Sequence, residues 1–375
     1  MVNFDELRSE FPITKRFTFM NHAAISPVPV TVTRALDVML REYSELGIDC
    51  YPAWIKRIPE VRGRLSRLIG ADPHEIAFVG NTSEGLGAVA SGIDWKQGDV
   101  VLVPRPDFPA NIYPWMNLER RGVKTVFIER EAGRFDVEAL KKALCPGVRL
   151  ISVSTVDFST GFLCDLEAIG AFCREKGILL CVDAIQSVGA VPIDVKKCGV
   201  HFLAAGGHKW LLSTMGCGIL YISGDCSDQI HPERVGWKSV IQEEDFFRIH
   251  LELKRDALRF EPGTMNVPGI YALGASVELL LSIGVKEIYE RILKLNDAIH
   301  DGLTARGLRV ATPMGKGERS GILSFIPKSD PIDLYRTLTD KGVRVSLRNQ
   351  LIRISPHFYN NADDISHFFD ALDAG

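Results

Sequence analysis

Three places in this 375-residue chain hold side chains able to act on a small organic ligand, and each follows a short apolar run. Lys209 stands in Gly206-Gly207-His208-Lys209-Trp210-Leu211, just past the run 202–205. Two glycines let the backbone approach a ligand closely, and a lysine in semi-apolar surroundings has a lowered pKa and turns nucleophilic. Asp183 closes the run Ile178-Leu179-Leu180-Cys181-Val182. A carboxylate there is poorly hydrated and needs a cationic or N–H partner, so it can keep a ligand's ring nitrogen protonated. Gly80-Asn81-Thr82-Ser83-Glu84-Gly85 lies between the run 76–79 and a helix start, where free N–H groups and the helix dipole favour a phosphate. Taken singly, these are also a capping sequence, a capping Asp and a surface lysine. Taken together, they are the parts needed to hold pyridoxal 5'-phosphate (PLP): a Schiff-base lysine, a pyridinium partner and a phosphate cradle.

Positioning them is the task of a repeating rhythm between about residues 75 and 225. Apolar runs at 76–79, 100–103, 125–128, 150–153, 178–182, 202–205 and 218–222 alternate with longer stretches of helical spacing. Near-continuous apolar strands require a sheet covered on both faces, which predicts a doubly wound α/β layer with a mainly parallel, seven-stranded sheet. Ligands of such sheets sit at the carboxyl ends of the strands, where all three sites fall. Helices are predicted at Asp136–Leu144 and at Leu166–Lys176, the latter ended by Gly177. Beyond about residue 265 the pattern predicts a smaller α+β unit. It comprises a long helix over Gly269–Arg306, strands at Leu308–Ala311 and Gly321–Ile326, a helix over Pro331–Lys341, strands at Val343–Ser346 and Leu351–Ile354, and a last helix over Ala362–Leu372. The predicted division is a large domain of residues 25–265 and a small one of 1–24 plus 266–375, with the N-terminal thirty residues near the cleft.

Composition narrows the class. Hydrophobic residues at 46% and charged ones at 24% exclude a disordered or fibrous chain. A net charge of −3 supplies no global field for nucleic acid or an anionic membrane, and no apolar run approaches the ~18 residues of a membrane span. Eight cysteines without a CxxC pair read as buried, reduced thiols of a cytoplasmic protein.

The segments VDAIQSVGAVPIDV, GGHKWLLSTMGCGILYI, DFPANIYPW, FEPGTMNV and IRISPHFYN resemble class V aminotransferases. This is the branch of fold-type I PLP enzymes that includes cysteine desulfurases, kynureninases and isopenicillin N epimerase-like proteins. The resemblance runs from Asn21-His22-Ala23-Ala24 to the final helix. It implies Lys209 as Schiff-base lysine and proton shuttle, Asp183 on the pyridine nitrogen and Gln186 near the phenolic oxygen. It also implies Thr82, Ser83 and His208 on the phosphate, with Phe108 stacked on the ring. Thr264 would reach a phosphate across a subunit interface, making the active unit a homodimer. Arg353 would bind the substrate carboxylate, with Arg348 and Arg344 as weaker candidates and His22 also on the substrate side. The implied reaction is transamination of an amino acid or amine, with a lyase or epimerase as the alternative.

Two departures stand out. Desulfurases carry a cysteine nucleophile just before the carboxylate-binding arginine; here residues 345–351 contain none, and no cysteine follows Cys226. Persulfide chemistry by that route is therefore not expected. Gly206-Gly207 replaces the serine that many relatives place before the His-Lys pair, so one phosphate hydrogen bond is lost or replaced. The rival readings are poorer. Gly85-Leu86-Gly87-Ala88-Val89-Ala90 spells a dinucleotide fingerprint, but its glycines fall inside a helix and not in its entry turn, which weakens an NAD-binding oxidoreductase. His74-Glu75 and His201/His208 close no metal set. A non-catalytic binding protein leaves Lys209 and Asp183 without purpose.

Overall fold

The computed structural model describes residues 2–131 and 133–375. Its main sheet has seven strands, in the order Ile76–Val79, Gly218–Ile222, Phe202–Gly206, Leu179–Asp183, Val148–Ser154, Val100–Arg105 and Lys124–Glu129. All seven predicted strands are present, and only Gly218–Ile222 runs against its neighbours.

Why these runs are apolar throughout is visible in where successive residues go. Leu180 and Val182 join one apolar cluster, with Leu203, Val153 and the helices Tyr51–Ile69 and Leu166–Lys176. Leu179 and Cys181 join the other, with Phe202, Ala204 and the helix Thr82–Gly92. The two-residue period sends alternate side chains to opposite faces, so a covered sheet must be apolar at every position. Each buried Leu or Val contributes about 1.5–3 kcal/mol. The same alternation puts Asp183 on the face that carries Thr82–Gly92. That helix lies close to the sheet because Gly85 has no side chain: a Cβ there would stand 2.8 Å from the Ala204 Cβ. The glycines of the apparent dinucleotide fingerprint thus serve helix–sheet packing.

The second unit is a four-stranded antiparallel sheet in the order Ser346–Arg348, Leu351–Ile354, Leu323–Ile326, Arg309–Val310, covered by the helices Pro331–Asp340 and Ala362–Asp373. The N-terminal segment joins it: Thr18–Phe19 pairs parallel with Val343–Arg344, and Asn21 bridges to Ser355.

Two expectations need correction, and one stretch carried none. The long helix over Gly269–Arg306 is two helices, Val267–Ile283 and Val285–Ala305, bent by 77° at Gly284, whose φ of +93° suits only glycine. Ile270, Leu273, Val277, Ile288 and Ile292 belong to the cluster of the main sheet, while Ile299 and Leu303 belong to that of the small one. The strand over Val343–Ser346 is divided, because Val343–Arg344 pairs with Thr18–Phe19 and Ser346–Arg348 with Leu351–Ile354. Finally, the helices Val30–Leu46 and Tyr51–Ile69 went unpredicted. Among the described residues no single helix is long and apolar enough to cross a membrane.

Candidate active site

Where the strands Leu179–Asp183 and Phe202–Gly206 end, a cavity of about 400 Å³ opens between the two units. Its lining brings together Thr82, Ser83, Phe108, Asp183, Gln186, His208, Lys209, Arg348 and Arg353, along with Ala23, Ala24 and Ile25 of the N-terminal segment.

Asp183 is fully buried. Its Oδ1 accepts the Ile185 backbone N–H at 3.0 Å, while Oδ2 has no partner among the described residues. Burial pushes its pKa up to about 7. Lys209, 9% exposed, is pulled the other way: burial lowers its pKa to about 8, Asp183 opposes that shift, and Arg353 and Arg348 reinforce it. A buried carboxylate lacking a cation and a buried amine lacking an anion are each held in an uncomfortable state.

At the phosphate turn, Asn81 caps the helix Thr82–Gly92 by accepting the Glu84 N–H at 3.0 Å. The N–H groups of Thr82 and Ser83 are left in the first turn, where the helix supplies no carbonyl. The Thr82 hydroxyl accepts the Gly206 N–H at 2.9 Å, tying this turn to the strand that leads to Lys209. His208 is half-buried; burial and then Lys209 hold its pKa below the usual value. The Gly207 requirement has a local origin instead of a ligand: an added Cβ would meet the Cys217 carbonyl at 2.8 Å. Gln186 is locked, donating to the Ala23 carbonyl at 3.0 Å and accepting from the Trp210 indole N–H at 2.9 Å.

Phe108 is 44% exposed to the cavity, with Lys209 Nζ 5.6 Å from its ring centroid and Phe158 edge-on at 5.5 Å. Beneath it runs a polar network that sequence reasoning missed. Asp107 accepts from Ser154 at 2.7 Å, Asn111 at 3.0 Å and the Phe108 N–H at 2.7 Å, and Asn111 in turn accepts from Trp115 at 3.2 Å. The spacing of Asp107 and Asn111 just after a strand end was the available clue.

Arg353 is buried and donates to the Phe158 carbonyl at 2.6 Å; its Nε has no partner among the described residues. Burial lowers its pKa to about 9, Arg348 adds to that, and Asp157 opposes it. Neither Arg353 nor Arg348 makes an ion pair among the described residues. Arg344 donates to the Thr339 carbonyl at 2.7 Å and lies outside the cavity.

One expected substrate-side residue is elsewhere, and the residue expected to serve a partner chain lies apart from this cavity. His22 does not line the cavity: it is buried behind the wall, 2.7 Å from the Tyr359 hydroxyl and 4.6 Å from the His357 ring, and burial holds its pKa well below the usual value. Its place on the substrate side was implied by the resemblance at Asn21-His22-Ala23-Ala24, and of that segment Ala23 and Ala24 line the cavity while His22 does not. Thr264 is exposed on the loop before the helix Val267–Ile283 and contributes nothing to the cavity of its own chain. None of the eight cysteines lines the cavity; burial raises the thiols of Cys164, Cys173, Cys217 and Cys226 to about 12.

These residues suit PLP on structural grounds. The orphaned Asp183 Oδ2 needs an N–H⁺ such as a pyridinium, burial lowers the Lys209 pKa and so eases loss of its proton, and the turn at Thr82-Ser83 offers donors to a phosphate.

The family model described as "Aminotransferase class-V" matches residues 18–368. A probable cysteine desulfurase of Methanothermobacter thermautotrophicus is 29% identical over 98% of this chain and 97% of its own length. An uncharacterized aminotransferase, YcbU of Bacillus subtilis, is 30% identical over 99% and 97%. The solved complex of C-DES, a cystine C–S lyase, with its product cysteine persulfide superposes with a TM-score of 0.89 at 26% identity, covering 97% of this chain and 99% of the other. A second C-DES structure, with a TM-score of 0.91 at 26% identity over 98% of this chain and 99% of that one, holds glycine covalently linked to PLP.

Proposed function

Because the chain belongs to the class V aminotransferase family of PLP-dependent enzymes, we propose that it moves the Cα proton of an α-amino acid with Lys209 and carries out a transamination. The observation that carries this reading is the convergence on one cavity of Lys209, the unpartnered Asp183 Oδ2 and the Arg353 guanidinium.

When bound, PLP supplies an aldehyde for the amine and a ring that accepts the electrons released at Cα. Asp183 would hold the ring nitrogen protonated, which that electron demand requires. Thr82, Ser83 and His208 would hold the phosphate, Phe108 would cover one ring face, and Gln186 would lie beside the phenolic oxygen. Arg353 would take the substrate carboxylate in a two-pronged contact and so fix which Cα bond stands perpendicular to the ring. Lys209 Nζ would remove the Cα proton, a task suited to an amine whose pKa lies near 8.

β-Elimination is the second reading. It is favoured by the likeness to a cystine C–S lyase together with the cysteine-free cavity, because elimination needs no protein thiol. Desulfuration through a protein persulfide lacks its nucleophile here. The segment 345–351 forms a hairpin closed by Asn349-Gln350, with Arg348 opposite Leu351 and no sulfur.

A homodimer is part of the proposal, with Thr264 of one chain completing the phosphate site of the other. Supporting it, Phe246, Phe247, Ile249 and Leu251 are 64–99% exposed on the segment before that loop, an apolar surface of the kind that partner chains cover. Eight free thiols fit a reducing compartment, and we place the enzyme in the cytoplasm.

The test is an amino-acid panel with the loaded enzyme, assaying keto acid, ammonia and inverted enantiomer in parallel. Keto acid formed with conversion of the cofactor to its amine form supports transamination. Ammonia with pyruvate means elimination, and inversion alone means epimerisation. Borohydride reduction should leave the pyridoxyl label on Lys209; a label elsewhere refutes the lysine assignment.

A further inference from the structure

Resting on the amino-acid chemistry proposed above, we infer that the site selects substrates bearing a second anionic group, with Arg348 as the side-chain anion receptor and Arg353 as the α-carboxylate receptor.

The hairpin dictates the pairing. Ser346 lies opposite Arg353 and Arg348 opposite Leu351 in an antiparallel ladder. Opposed residues, and residues two apart along a strand, share a face, so Arg348 and Arg353 are diagonal neighbours on the face turned to the cavity. Diagonal positions are about 7–8 Å apart at the backbone. That separation lets two long side chains serve two groups of one small molecule.

Two like charges side by side repel unless something neutralises them, and no carboxylate among the described residues pairs with either. Among the described residues Arg348 donates only to the Leu347 carbonyl, at 3.0 Å. Arg353 bonds the Phe158 carbonyl and approaches the Ser346 hydroxyl at 3.4 Å. Asp157, the carboxylate that Arg353 senses, is occupied: its Oδ1 accepts from the Ser159 and Thr160 backbone and from the Thr160 hydroxyl, and Oδ2 lies 3.6 Å from Arg130. Among the described residues Asp183 is the only carboxylate lining the cavity, and its free oxygen is the one suited to the ring nitrogen. An α-carboxylate neutralises one guanidinium and leaves the second unmatched. A carboxylate, sulfinate or sulfonate on the substrate side chain supplies the missing charge.

Titration of the PLP-loaded enzyme with amine-free analogues tests this, because such ligands bind without turnover. Glutarate and succinate are compared with butyrate by calorimetry, for the wild type and for Arg348→Gln and Arg348→Lys. At least one dicarboxylate should bind about tenfold tighter than butyrate, a difference of about 1.4 kcal/mol. That ratio should fall towards one in Arg348→Gln and be largely kept in Arg348→Lys. Equal affinities in the wild type, or a ratio unchanged in Arg348→Gln, would overturn the inference. The ratio depends on two carboxylates and no reaction, so it separates failure of this inference from failure of the transamination reading, which the keto-acid assay decides.

Discussion

Replacing Asp183 with Asn should stabilise the apoprotein and weaken its hold on PLP. The Asp183 carboxyl is 2% exposed, and burial moves its pKa from 3.8 to about 7, against the Ile185 N–H and Lys209, which favour the charged form. A folded pKa above the unfolded one means that the folded chain keeps an extra proton between those values. Stability therefore falls as pH rises from about 4 to about 7 and is level above that window. At about 1.36 kcal/mol per pKa unit, the penalty is about 4 kcal/mol at about pH 8 but only about 1.5–2 kcal/mol at about pH 5. Asparagine keeps an acceptor for the Ile185 N–H and carries no charge. The apo variant should thus exceed the wild type in stability, by a margin about 2–3 kcal/mol larger at about pH 8 than at about pH 5. Urea unfolding of both apoproteins at the two pH values measures this directly. A parallel series with PLP should show a smaller cofactor-induced gain for the variant, which has lost its pyridinium partner. An apo variant no more stable than wild type at the higher pH, or a margin independent of pH, would refute this account of the site.

Other substitutions probe separate parts of the argument. Arg353→Gln should raise KM for α-amino acids about tenfold to a hundredfold, the worth of a charge-assisted hydrogen bond, while sparing amines that lack a carboxylate; equal effects on both would sink the carboxylate role. Gly85→Ala should lower the urea midpoint, costing about 1–3 kcal/mol, because its Cβ would press on Ala204; unchanged stability would show that the helix yields freely. Incubation with L-cysteine followed by alkylation and mass spectrometry should find no protein persulfide, and one on any of the eight cysteines would restore the desulfurase route.

The site residues nearest to strand ends were the most legible. Asp183, Lys209 and the Thr82-Ser83 turn each follow an apolar run, and a parallel sheet aligns the ends of its strands, so linear position already implied a shared site. The Gly284 break was harder to read, since apolar spacing continues through it and only the backbone conformation reveals the turn. The resemblance puts His22 on the substrate side, and sequence alone does not show which way it turns. Its neighbour Ala23 faces the cavity, but in irregular chain adjacent residues need not face the same way, and His22 turns towards Tyr359 and His357. In the Asp107–Asn111–Ser154 network the four-residue spacing of Asp107 and Asn111 was legible, but no local pattern links them to Ser154, 47 positions from Asp107.

By itself, the amino-acid order determined the seven strands and their covered faces and singled out Lys209, Asp183 and the Thr82-Ser83 turn as a candidate site, because each depends on local hydrophobic periodicity or on residue type at a strand end. Only the tertiary structure decided that Asp183 keeps an unpartnered oxygen, that Lys209 lies buried near it, and that Arg348 and Arg353 share a face without a carboxylate partner among the described residues. Burial and unmet charge arise from what the rest of the chain places around a side chain, and those neighbours are distant in sequence.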